Sequence, residues 1–124
     1  MLRRLVADCS VNWFKSLDLK HYFSEPGDHA DEMETSMMLH IAPALVLPLT
    51  EAGDGKTKEP KIRAFREGWA WAPRQWTKVT ADTGSGNPKH ATSAKGKEYF
   101  EAVTRTVADF LVELSAIDTG DLYA

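Results

Sequence analysis

The sequence has a single cysteine, no excess of basic residues and no long apolar run. Its single thiol, Cys9, excludes an internal disulfide. No apolar stretch approaches the roughly 20 residues of a membrane-spanning helix. The N-terminal segment "MLRRLVADCSVNWF" is interrupted by Asp8 and does not match a signal peptide. These absences predict a reducing, cytoplasmic location and no membrane partner.

The charge balance limits the possible partners further. The chain has 15 basic and 18 acidic residues, for a formal net charge of -3. It therefore lacks the electrostatic attraction that supplies most nonspecific binding to phosphate backbones. The "TGSGNP" segment, residues 83–88, also lacks the Gly-Lys-Ser/Thr ending of a phosphate loop. Nucleic acid is excluded as a partner, and small molecules or proteins are expected.

At 124 residues the chain has about the length of one domain, which buries roughly two-thirds of its unfolded surface. Residues 4–12 ("RLVADCSVN") have the composition of a buried strand, although so short a run is also compatible with a helix. Cys9 is interpreted there as a packing residue. Residues 13–28, which include a Pro-Gly pair, are predicted to form a loop or a short helix.

A helix is predicted to begin at Asp31, because Asp31 and Glu34 have the spacing of a capping box ahead of an apolar stretch. Pro43 is expected to bend or end this helix. Its methionines, Leu39 and Ile41 predict that the helix is largely buried. Residues 44–50 ("ALVLPLT") fit either a short strand or a packed extended segment.

The middle of the chain is polar, glycine-containing and without a sustained period, so irregular structure is predicted there. Its tryptophans, Trp69, Trp71 and Trp76, form either an aromatic wall for a planar ligand or the packing of a core or subunit interface. Packing is the favoured interpretation. Trp13 is better placed for a ligand pocket, because it follows the predicted first strand.

A second helix, roughly twenty residues long, is the clearest element, because apolar residues recur at three- and four-residue steps. They are Phe100, Val103, Val107, Phe110, Leu111 and Leu114. Thr92 or Ser93 is the predicted N-cap. Two helices with one or two short strands do not complete an α/β sheet that is covered on both faces. The chain is therefore predicted to be part of a larger domain.

His29 is the strongest candidate for chemistry. It precedes the predicted helix start, where the positive end of the dipole favours a neutral imidazole that can act as a general base. The alternative is a loop residue beside a helix cap, and the dipole alone also favours Glu34. His29 and His40 do not have the spacing of a short zinc motif. No complete metal site is predicted within the chain.

Three segments, "DCSVNW", "GDHADEMETSMML" and "GNPKHATSAKG", resemble the C-terminal half of the creatininase (creatinine amidohydrolase) family. The resemblance covers most of residues 1–124, and the spacing from the histidine to Glu-Thr-Ser is its most specific part. It implies an α/β fold, as part of a three-layer α/β/α domain that lacks its N-terminal half. It also implies an oligomer, commonly a hexamer.

The resemblance implies a metal-dependent hydrolysis of an amide or a cyclic amide, with zinc or manganese in a two-metal centre. His29 matches the proton-shuttling histidine, Glu34 matches a glutamate that supports the centre, and Trp13 matches a substrate-pocket tryptophan. The family's metal ligands precede the matched half, so none is expected here. Asp28 stands where creatininase itself has a glutamate, and a second pocket tryptophan is missing, which leaves the substrate open.

Two functions from different classes follow. The first is the C-terminal part of a creatininase-like amidohydrolase, in which Met1 marks a truncated or split family member. The second is a noncatalytic half-domain that serves as an assembly or interaction subunit through its tryptophan-rich segment. Metal content and the size of the native polypeptide distinguish the two.

Overall fold

A computed structural model describes residues 9–25, 27–118 and 120–123. Four α-helices lie in this part of the chain: α1 (Glu32–Ile41), α2 (Arg63–Arg66), α3 (Trp76–Val79) and α4 (Ser93–Ala116). Short 3₁₀ turns occupy Trp13–Lys15, Leu19–His21, Pro43–Leu45, Leu49–Glu51 and Pro88–His90. None of the helices in these residues is long and apolar enough to span a membrane.

The described residues contain no β-strand, so the predicted three-layer α/β/α arrangement is not confirmed. A single isolated bridge joins His29 and Ser85. Of the strand predicted for residues 4–12, residues 4–8 lie outside the described part, and residues 9–12 have no regular structure. Cys9 is exposed, so its interpretation as a packing residue is wrong.

The strand alternative for residues 44–50 is also wrong, because the segment starts and ends in 3₁₀ turns. Pro43 and Pro48 have no N–H to donate to a neighbouring strand. The described part of the chain offers no partner strand either, and an unpaired strand is not stable in water. The segment is therefore an exposed connection, in which Leu45 and Leu47 are 76% and 72% exposed.

The predicted cap of α1 is confirmed, with one change. The Asp31 carboxylate accepts a hydrogen bond from the Glu34 N–H at 2.9 Å. In a standard capping box the Glu34 side chain reaches back to the N–H of the cap residue itself. Here it accepts from the N–H of Ala30, one residue earlier, at 2.6 Å. Glu34 therefore stabilises the turn that leads into the helix.

Only the first half of α1 is buried. Glu32, Met33 and Ser36 are buried, whereas Met38 and Ile41 are 38% and 53% exposed. The prediction of a largely buried helix is therefore wrong for its C-terminal half. The reason is that α4 makes the main contact with α1, whereas the 3₁₀ turns Pro43–Leu45 and Pro88–His90, which also contact it, are only three residues long each.

Helix α4 is confirmed, with Thr92 as its N-cap accepting a hydrogen bond from the Lys95 N–H at 3.2 Å. Its buried residues are Gly96, Tyr99 and Val103. Of the predicted apolar face, Val103 is buried and Val107 packs against the core, whereas Phe100 and Leu111 are 37% and 53% exposed. The predicted face is therefore confirmed in part, and the fully buried Tyr99 lies outside it.

The core lies between α1, α4 and the segment before α1. Its buried members are Phe23, Met33, Tyr99 and Val103. Around them pack Trp13, Leu17, Leu19, Tyr22, Met37 and Val107. A Cβ at Gly96 would overlap the Ser36 carbonyl oxygen, so only glycine permits this approach of the two helices.

Candidate functional site

The backbone of His29 is held by the loop of residues 83–88. The N–H groups of Asp28 and His29 donate to the Ser85 carbonyl at 2.8 and 3.2 Å. The Ser85 N–H donates to the His29 carbonyl at 2.8 Å. Ala30 then has a φ of 49°, in the left-handed region, which turns the chain into α1. The "TGSGNP" segment therefore positions the histidine rather than a phosphate.

The structure brings His29 and Glu34 together. His29 Nδ1 lies 3.8 Å from Glu34 Oε2, and the two side chains are 47% and 33% exposed. This separation exceeds a direct hydrogen bond, but the same oxygen is fixed by the Ala30 N–H. A fixed carboxylate facing Nδ1 leaves Nε2 as the imidazole nitrogen that can serve a ligand.

Two residues from the tryptophan-rich segment complete the surroundings of His29. The indole of Trp76 lies 5.0 Å from the imidazole, measured between ring centroids, with the planes at 50°. The Arg74 guanidinium lies 5.2 Å from the Trp76 ring centroid. It also donates two hydrogen bonds to the Asp28 carboxylate. This Arg74 interaction holds the pKa of Asp28 below its usual value, against the opposing effect of partial burial.

Each residue of the Glu-Thr-Ser motif has a separate contact. Glu34 faces His29, as described above. The Thr35 hydroxyl donates to the Ala30 carbonyl at 3.3 Å, which adds a second bond to the turn. The Ser36 hydroxyl is buried and accepts from the Thr92 N–H at 3.2 Å, which joins α1 to the start of α4. The motif therefore combines a site residue with two structural residues.

Glu32 has a structural role despite its place in the same acidic run. It is fully buried. Its carboxylate accepts from the N–H and hydroxyl of Ser24 and from the N–H of Glu25. It also pairs with the Lys95 ammonium at the start of α4. Burial alone would raise the pKa of Glu32, but Lys95 and these hydrogen bonds together lower it.

The remaining predicted residues lie apart from this site. Trp13 stacks on Phe14 with ring centroids 3.8 Å apart, and it packs against the core near Tyr99. The favoured interpretation of the tryptophans was packing in a core or a subunit interface. Trp69 and Trp71 are 70% and 82% exposed, so packing in a core is wrong for these two residues, and packing in an interface stays a prediction. The sequence analysis named Trp76 among three tryptophans but did not connect it with His29, and it did not name Arg74, because neither residue is near His29 in the chain.

A cleft of about 490 Å³ opens beside Glu34. Its walls are mostly apolar and come from α1, the 45–52 connection and the glycine-containing loops at 53–55 and 82–88. Its three carboxylates are those of Glu34, Glu51 and Asp82. A cleft of this size is within the range of small-molecule sites.

Metal-binding side chains do not assemble into a centre in the described residues, where no three His, Cys, Asp or Glu groups lie together. A catalytic zinc site needs three protein ligands, and a two-metal centre needs more. The described residues of this chain therefore do not fit the family's metal centre by themselves.

Glu34 lines this cleft, and His29 lies 3.8 Å from Glu34 without lining the cleft itself. A histidine and a carboxylate close together near a cleft are candidates for acid–base chemistry. A protein-family profile described as "Creatininase: Creatinine amidohydrolase" matches residues 3–111. The chain therefore belongs to the creatininase family, as the sequence motifs predicted.

A solved structure supports this membership. The crystal structure of a "putative creatinine amidohydrolase" from Bacteroides fragilis is similar to this chain, with a TM-score of 0.79 and 43% sequence identity. The alignment covers 92% of this chain and 44% of that chain, so this chain spans less than half of the relative's length. No curated protein matches the sequence.

Proposed function

We propose that this chain forms the C-terminal part of a metal-dependent amidohydrolase that hydrolyses an amide or a cyclic amide. The observation that carries the proposal is the pairing of His29 with Glu34, at 3.8 Å, in a chain of the creatininase family. In this proposal His29 is the general acid and base, and Glu34 orients its imidazole.

Amide hydrolysis requires two proton movements. A bond forms between the water oxygen and the carbonyl carbon, the C–N bond breaks, and the leaving nitrogen takes a proton. One group that accepts a proton from water and donates it to nitrogen serves both steps. With Nδ1 facing Glu34, His29 Nε2 is the atom that carries this proton. The family's metal centre would supply an activated water.

The metal ligands, for zinc or manganese, are proposed to come from polypeptide outside this sequence. Two facts support this: the described residues assemble no metal centre, and the chain spans less than half of its solved relative. The complete enzyme is proposed to be a cytoplasmic homo-oligomer, a hexamer as in the family.

The substrate is proposed to bind in the cleft beside Glu34, because apolar walls with a few carboxylates suit a small amide with N–H groups. Trp13 is retained as a substrate-binding residue on the family resemblance. In the structure its ring contacts Phe14 and the core, so this role requires the partner polypeptide to complete a pocket around it.

The proposal is tested on the native polypeptide that carries this sequence, isolated from source cells with an antibody against α4. We expect a polypeptide longer than 13.8 kDa, with bound metal and with hydrolysis of creatinine or related cyclic amides. His29→Ala should reduce kcat by about a hundredfold or more, and Glu34→Gln should reduce it less. Metal content should stay unchanged in both variants. Unchanged turnover in the metal-loaded His29→Ala enzyme would refute the role of His29.

A second function is favoured by the exposure of Trp69 and Trp71. In this alternative the chain is a noncatalytic half-domain that acts as an assembly or interaction subunit through the tryptophan-rich segment. A native polypeptide of 13.8 kDa that is folded, oligomeric and metal-free would favour it over the amidohydrolase.

A further inference from the structure

We propose that Trp76 is a positioning residue for His29, and that the Arg74–Asp28 ion pair holds Trp76 against the imidazole. The inference rests on the proposed function for its catalytic consequence, but the contact itself is independent of any reaction. The resemblance to the family assigns no role to Arg74 or Trp76.

His29 needs such a support because little else restrains its ring. Its side chain is 47% exposed, and its contact with Glu34 is longer than a hydrogen bond. The backbone bridge to Ser85 fixes the Cα but not the side-chain torsions. The Trp76 indole lies beside the imidazole, with 5.0 Å between the two ring centroids. It restricts the rotamers that can face Glu34.

Trp76 is itself held by Arg74. It is 38% exposed, compared with 70% and 82% for Trp69 and Trp71 in the same segment. The Arg74 guanidinium lies over its ring at 5.2 Å, within the range of a cation–π interaction. Arg74 is in turn bound to Asp28 through two hydrogen bonds, which is the strongest geometry for this kind of pair. Arg74 therefore links Trp76 to Asp28, the residue that precedes His29.

The charged groups that face His29 come from each element around it. Asp28 precedes it in the chain, Glu34 faces it from α1, and Arg74 approaches from the segment before α3. The Trp76 ring adds a surface that attracts a cation. Removal of Trp76 should therefore change the orientation of the imidazole.

The contact is tested by nuclear magnetic resonance on the native polypeptide. Ring currents from the indole should shift the imidazole proton resonances of His29, and Trp76→Leu should remove this shift. Trp76→Phe should retain part of it. Trp71→Leu is the matched control, because Trp71 is exposed in the same segment, and it should leave the His29 resonances unchanged. Equal His29 spectra in wild type and Trp76→Leu would overturn the proposal.

The positioning role is tested by steady-state kinetics on the same variants. In turnover, Trp76→Leu should lower kcat about tenfold with little change in KM, and Trp76→Phe should recover most of the loss.

The outcomes separate the two proposals. Full turnover in Trp76→Leu, with turnover lost in His29→Ala, would overturn the positioning role and leave the amidohydrolase proposal intact. Unchanged turnover in His29→Ala would refute the proposed function, whatever the spectra of the Trp76 variants show. Far-ultraviolet circular dichroism identifies any variant that fails to fold, and Trp76→Phe then decides the question.

Discussion

Two glutamates in one acidic run have opposite environments. Glu32 is fully buried, and its carboxylate receives hydrogen bonds from Ser24 and Glu25 and pairs with Lys95. Glu34 is one-third exposed and faces His29. The difference follows from position on α1: side chains two residues apart on a helix point in different directions. At the residue scale, identical side chains therefore divide into one that stabilises the fold and one available for chemistry.

The pH dependence of stability follows from Glu32. Its pKa in the folded state lies below the ordinary value of 4.5. Its stabilising contribution is therefore fully present above pH 4.5 and is lost as pH falls through the folded-state pKa. Asp28, whose pKa is also lowered, contributes with the same sign. Asp31, whose pKa is raised by burial, contributes with the opposite sign.

We expect Glu32→Gln to lower the free energy of unfolding at neutral pH by about 2–4 kcal/mol, because Lys95 loses its partner. When the pH falls below 4.5, the free energy of unfolding should decrease less in the variant than in the wild type. Urea denaturation at a series of pH values measures both effects. Glu98→Gln, on the exposed side of α4, is the control and should follow the wild type. Parallel curves for wild type and Glu32→Gln would contradict this account.

At the scale of elements, the fold depends on how α1 and α4 approach each other. Gly96 faces the Ser36 carbonyl, and the Thr92 N–H bonds the Ser36 hydroxyl at the same crossing. A backbone that approaches this closely leaves no room for a side chain. On the same helix Tyr99 is fully buried, whereas Phe100 is 37% exposed.

Gly96→Ala tests this crossing. Alanine favours an isolated helix over glycine by about 1 kcal/mol, so local propensity alone predicts a more stable protein. We expect the reverse, a loss of about 1–3 kcal/mol, because the new methyl group must displace the Ser36 carbonyl. Lys97→Ala, at the neighbouring exposed position, is the control and should stay within about 0.5 kcal/mol of the wild type. A stabilised Gly96→Ala variant would show that the helices are not in close contact.

At the scale of the whole molecule, many large apolar side chains of the described residues face solvent. Among them are Leu45, Leu47 and Trp71, which are 76%, 72% and 82% exposed. Contiguous exposed apolar surface of this kind marks sites of association with other polypeptides.

We expect the isolated chain to associate in solution at a mass of at least twice 13.8 kDa, because exposed apolar surface of this extent drives association. The triple variant Leu45→Ser, Leu47→Ser, Trp71→Ser should shift the distribution toward monomer. A variant with Glu98→Ser and Glu113→Ser is the control and should associate as the wild type does. Size-exclusion chromatography with light scattering makes the measurement. A monodisperse wild-type monomer would contradict the expectation.

The sequence by itself determined the features that depend on neighbours along the chain. The cap at Asp31, the cap at Thr92 and the length of α4 follow from local hydrogen bonds and from apolar spacing. Family membership followed from the short segment around His29 and Glu34. The proximity of the two candidate residues, His29 and Glu34, has a local cause, because the start of one helix positions both.

Only the tertiary structure decided the features that depend on distant partners. A strand needs another strand to pair with, and the part of the chain that is described supplies none. Composition alone therefore could not decide between a strand and an extended segment for residues 44–50. The buried face of α4 includes Gly96, where α4 approaches α1 closely. The spacing of apolar residues gives no signal for such a contact at a glycine. Arg74 and Trp76 reach His29 across more than forty residues of chain. Their contribution is a long-range contact, and local patterns of residues carry no signal for it.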